Sequence, residues 1–142
     1  MKKTTIIFWV TTTLIFLMEG VIPAFTSQTA LAKEGIRHLG YPEYFGNILV
    51  GFKVAGALAL IIPQVPARIK EWAYAGFAID FIAASLSHVA IDGAANFQSY
   101  FPLIFLAILV VSYVTYHKKA MMAVHSVSGN EVSQFNEQML KA

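Results

Sequence analysis

The stretch that decides the fold is Trp72–Asp92, WAYAGFAIDFIAASLSHVAID, an apolar run that carries an aspartate and a histidine inside it. At a rise of ~1.5 Å per residue, a helix of about 20 residues crosses the ~30 Å of hydrocarbon in a bilayer. The run is therefore read as a transmembrane helix over residues 72–91, and three similar runs accompany it at 5–22, 44–62 and 100–116. Composition agrees: 57% of the 142 residues are hydrophobic, 13% are charged, and the mean hydropathy is +0.62. Ordinary soluble domains carry roughly 25% charged residues. These features predict an all-α integral membrane four-helix bundle in one domain, with an outer loop at 23–43 and a tail at 117–142.

The absence of cysteine excludes disulfides, thiol redox chemistry and a cysteine nucleophile, so any redox role must use a bound molecule. The net charge of +2 is spread over the helix ends, with no cluster of the kind that nucleic acid requires. Lys2, Lys3, Arg68, Lys70, Lys118, Lys119 and Lys141 fall on one side of the predicted spans, against Lys33 and Arg37 on the other. This bias predicts that both termini are cytoplasmic, as an even number of crossings requires. A cleaved signal peptide is the competing reading of the N-terminus, since a basic start and an apolar core precede Ala30–Ala32. The dozen or so residues between core and cleavage signal favour an uncleaved first helix.

Four ionisable residues lie inside the predicted spans: Glu19, Lys53, Asp80 and His88. Each costs about 2.5–3.5 kcal/mol to place in hydrocarbon, so they should face the interior and find partners. Counted from the helix ends, Lys53 and Asp80 reach similar depths and are expected to pair near the midplane. Glu19 and His88 are expected to form a second polar layer nearer the outer face, a site for a ligand or a proton. Along the third helix, Gly76, Asp80, Ala84 and His88 recur every four residues as a stripe of small and polar groups, with Ser87 beside its upper end. Phe77, Phe81, Leu86 and Val89 project elsewhere, toward lipid or a neighbouring helix. On the second helix, Gly51, Ala55 and Ala59 form a small-residue ridge suited to close approach, and Gly46, Val50, Lys53 and Ala57 mark the polar side. A register-fixing ion pair with no ligand is the plainer reading of Lys53 and Asp80.

The outer loop contains Arg37, His38, Tyr41 and Tyr44 between glycine and proline turn signals. Two readings are open: a lid over the outer mouth, or an interfacial aromatic belt. The tail, HSVSGNEVSQFNEQMLKA, reads as frayed chain or a short surface helix.

The segments GIRHLGYPEYF (35–45), KVAGALALIIPQVP (53–66) and RIKEWAYAGFAIDFIAASLSH (68–88) together resemble the DoxX-like family of small four-helix membrane proteins. The resemblance implies a polar interior that includes Lys53, Asp80, Ser87 and His88, and an association with quinone-linked redox systems. Three functions follow as expectations. The first is binding of a small lipophilic, quinone-like ligand beside Glu19, Lys53, Asp80, Ser87 and His88. The second is a membrane subunit of a quinone-linked oxidoreductase, which needs a redox partner protein because no haem, flavin or iron–sulfur motif is present. The third is a small transporter or channel, which needs a homo-oligomer to form a pore. Quinone is the one cofactor implied, no metal site is read, and the expected location is a bacterial cytoplasmic membrane.

Overall fold

The computed structural model describes residues 2–141, without the side chains at 135, 136 and 141. Among the described residues the secondary structure is helical, with no strand. Helix α1 (Lys2–Ile15) continues through a π-helical turn (Phe16–Val21) into α2 (Ile22–Thr26). Then come α3 (Ala30–His38), α4 (Glu43–Ile61), α5 (Ala67–Asp92), a 3₁₀ turn (Phe97–Ser99) and α6 (Phe101–Lys141). Four stretches are long and apolar enough to cross a membrane: Lys2–Thr26, Glu43–Ile61, Ala67–Asp92 and Phe97–Leu140.

The first span runs past its expected end at residue 22 because the π turn accommodates Pro23. Proline has no N–H, and its ring collides with the carbonyl four residues back in a regular helix. Here the Ile22 amide donates to the Leu17 carbonyl, five residues back, and this wider turn lets the chain stay helical to Thr26. Much of the expected loop at 23–43 is also helical. Thr29 starts α3 by accepting a bond from the Ala32 amide, and Gly40 ends it at φ 82°. The amides of Gly40 and Tyr41 donate to the carbonyls of Arg37 and Ile36, a Schellman closure that turns the chain into α4. The tail differs as well. With no proline after Pro102 to stop it, α6 continues unbroken from the fourth span through the tail to Lys141, and Ala142 lies outside the described residues.

Packing joins α1 to α6, α6 to α5, α5 to α4, and α4 to the π turn. The core consists of Ile15, Ala57, Leu60, Tyr74, Phe77, Phe81 and Leu109. Phe77 and Phe81 therefore meet neighbouring helices, and Phe81 continues onto Phe105 at 6.0 Å between ring centroids. Leu86 is exposed. The close approach of helices falls elsewhere than on the Gly51 ridge. Nothing lies within 4 Å of a Cβ built on Gly51, whereas one built on Gly20 meets the Ala57 Cβ at 2.7 Å and one on Gly56 meets Phe77 at 3.0 Å.

Two buried polar devices fix the end of the assembly that carries Lys2. The Lys70 ammonium donates to the carbonyls of Ala59, Leu60 and Ile62 at 2.6–3.1 Å, satisfying the last turn of α4. Ser112 on α6 joins Thr12 at 2.7 Å and the Tyr74 hydroxyl at 2.9 Å, linking three spans through hydroxyl groups. Ser112→Ala is expected to lower the unfolding free energy in detergent by about 1 kcal/mol, since it removes the buried hydroxyl that joins Thr12 and Tyr74. Thermal unfolding against a Ser112→Thr control, which keeps the hydroxyl, checks this.

Candidate functional site

The π turn decides where the site forms. Its widened geometry presents Glu19 to α4, although the residue stands two turns before the end of the first span, and Glu19 is 8% exposed. From α4, Lys53 reaches Glu19 Oε2 at 2.8 Å and Asp80 Oδ2, on α5, at 3.0 Å. The expected pairing of Lys53 with Asp80 is present. Glu19 joins that pair instead of His88, so the expected outer layer of Glu19 with His88 does not form.

The cluster is one ammonium between two carboxylates, formally one negative charge in excess in a place where charge is poorly solvated. Its acceptor capacity is not exhausted. Asp80 Oδ2 is buried and close to the ammonium, but the alignment does not make a hydrogen bond. A group that donates a hydrogen bond, or a proton, is the natural complement.

Two cavities meet at Lys53. A groove of about 660 Å³ runs between α4 and α5 and is lined by Phe52, Ala55, Trp72, Gly76 and Phe77, with Lys53 and Asp80 forming its polar part. Phe52 and Trp72 are 74% and 78% exposed, so the groove opens on the outer, lipid-side surface of the helices. On the opposite side of Lys53 is a vestibule of about 230 Å³ under α3, lined by polar groups that include Lys33, Glu43 and Asn47. Gly76 and Asp80 of the helical stripe line the groove, and Ala84 and His88 lie one and two turns beyond Asp80, outside its lining.

His88 belongs to a second cluster. Its Nδ1 donates to Asp92 Oδ2 at 2.7 Å, and His38 Nε2, from α3, donates to the other carboxylate oxygen at 2.5 Å. Beside them the hydroxyls of Tyr41 and Ser87 bond at 2.8 Å, and Tyr41 stacks on Phe45 at 4.7 Å. Arg37 and Lys33 both hold Glu43 at 2.8 Å. Three of the four loop residues thus tie α3 down, while Tyr44 is 67% exposed and takes no part. Among the described residues no three histidines or carboxylates converge as metal ligands.

Asp92 and Glu43 are the residues that sequence reasoning missed, because both fall one position beyond the expected spans. The spacing of His88 and Asp92, four apart on one helix, was the available signal.

The model of the DoxX-like family matches residues 7–112, a range that contains Glu19, Lys53, Asp80 and the whole of α3. No curated protein and no solved structure matches the chain.

Proposed function

The chain belongs to the DoxX-like family, and on that premise we propose that this multi-pass membrane protein binds a small lipophilic ligand with a quinone-like headgroup, taken up sideways from the bilayer. The observation that carries this reading is the groove between α4 and α5, whose apolar walls end on Lys53 and Asp80. Its volume lies within the ~300–1,000 Å³ of small-molecule sites, and an apolar wall with a few convergent polar groups is their usual composition. One of the three ammonium protons of Lys53 is given to Glu19, which leaves donor capacity for a ligand carbonyl. Asp80 accepts from a ligand hydroxyl. The vestibule behind Lys53 supplies water to the far side of the same cluster. The ring of basic residues at the end carrying Lys2 puts both termini on the cytoplasmic side in this reading, and the α3 cover faces outward.

Trp72 at the mouth of the groove provides the test. A short-chain quinone titrated into detergent-solubilised protein is expected to quench its fluorescence saturably. Asp80→Asn is expected to weaken that binding about tenfold, the cost of a lost charge-assisted hydrogen bond. Gly76→Phe fills the groove at a position with nothing within 4 Å of a built Cβ. It is expected to abolish binding at unchanged unfolding temperature. Equal affinity in wild type and Gly76→Phe refutes the reading.

A further inference from the structure

At the end carrying Lys2, a separate cleft of about 210 Å³ lies between α1, the α4–α5 turn and α6. Its floor is apolar, with Phe8, Leu60 and Ile61, and its polar groups are Trp9, Lys70, Tyr116 and Lys119. No carboxylate lines it. Lys70 and Lys119 are close enough to repel one another, and Lys70 is 5% exposed with no acidic partner among the described residues. Its three donors are spent on backbone carbonyls, so it contributes charge to the cleft.

The other polar groups are unspent. The Lys119 ammonium lies over the rings of Phe8 and Trp9, 4.9 Å and 5.1 Å from their centroids, without an ion pair among the described residues. Neither the Trp9 indole N–H nor the Tyr116 hydroxyl bonds to a protein group among the described residues. The cleft thus combines two cations and two unused donors with an apolar floor, and Glu71, at the same end, is engaged by His117 at 2.9 Å. Lys2, Lys3, Arg68 and Lys118 add to the positive field there.

We propose that this cleft binds the phosphate of an anionic phospholipid, with Lys119, Trp9 and Tyr116 on the phosphate oxygens and an acyl chain along Phe8, Leu60 and Ile61. A zwitterionic lipid brings a choline or ethanolamine cation that the two ammonium groups oppose. A headgroup such as that of phosphatidylglycerol brings none. Each basic residue near a membrane surface favours an anionic lipid by about fivefold in binding constant. The site is independent of the groove between α4 and α5.

The experiment uses full-length protein carrying Trp72→Phe, which leaves Trp9 as its one tryptophan, in bilayer nanodiscs of phosphatidylcholine. Phosphatidylglycerol brominated on its acyl chains is expected to quench Trp9 at about one-fifth the mole fraction that brominated phosphatidylcholine needs. Lys119→Gln is expected to remove most of that preference and Lys119→Arg to retain it. Circular dichroism and the unfolding temperature establish that each variant is folded. Equal quenching by the two lipids overturns the proposal, as does a preference unchanged in Lys119→Gln. Loss of the preference on adding inorganic phosphate at matched ionic strength also overturns it, since the site then takes the free anion.

Discussion

Lys53→Met is expected to lower the unfolding free energy by about 3 kcal/mol, the lower end of the penalty for removing one partner of a buried ion pair, since Lys53 and Asp80 are part-buried. The reason is the composition of the cluster. Lys53 holds Glu19 and Asp80 at 2.8 and 3.0 Å, and without it two carboxylates face each other with no cation between them. Methionine keeps the length and apolar stem of the side chain, so the loss reports charge and not a cavity. Glu19→Gln is expected to be far milder, because Asp80 still balances the ammonium and the amide still accepts its bond. The discriminating variant combines Lys53→Met with Glu19→Gln and Asp80→Asn. Neutralising all three positions is expected to recover most of the stability, since buried ionic clusters replaced by neutral groups often break even. Thermal or denaturant unfolding in one detergent measures all three proteins. A wild-type midpoint in Lys53→Met would mean that water solvates the carboxylates.

The same cluster marks how far the residues alone could be read. The existence of four membrane-crossing helices, and the meeting of Lys53 with Asp80, follow from length, hydropathy and counting along helices. Those quantities are one-dimensional, and a regular helix preserves them. Glu19 was expected in the interior but one layer too far out, beside His88, because its depth was counted from an end at residue 22, whereas the π turn between Phe16 and Val21 admits Pro23 and carries the helix on to Thr26. A proline inside an apolar run signals a disturbance without stating whether the helix will kink, end or widen. Which part of the small-residue ridge packs within the chain was hidden for a related reason: Ala59 is buried, whereas Gly51 meets nothing within 4 Å. Gly51, Ala55 and Ala59 are as small as Gly20, Gly56 and Ala57, and only the azimuth of α4 against its neighbours decides which of them meets another helix. The loop reading of 23–43 missed α3 because nine residues are too few to cross a membrane and lie between glycine and proline turn signals, although the segment is amphipathic. Asp92 was lost to a boundary error of one residue, yet it anchors His38 and His88 together.

Gly20→Leu is expected to cost about 3 kcal/mol, the upper end of the penalty for overpacking a filled interior. A Cβ at residue 20 lies 2.7 Å from the Cβ of Ala57, a separation that real structures do not tolerate, and Ala57 is fully buried on α4. A flexible side chain could swing aside, but a methyl fixed to a helix backbone moves only with the helix. The first span must therefore retreat from α4, and Glu19, one residue away in the same π turn, retreats with it. Stability and the geometry of the Lys53 cluster are coupled through this contact. Gly20→Ala is expected to show the same two effects at about 1 kcal/mol, and Ala57→Gly, by removing the opposing methyl, to reverse most of the loss in Gly20→Ala but little of it in Gly20→Leu. The proposed quinone binding, monitored through Trp72, should weaken in the order in which the variants lose stability. If Gly20→Leu unfolds at the wild-type temperature, then α4 and the π turn are not in contact in the membrane protein, and the position of Glu19 beside Lys53 loses its physical basis.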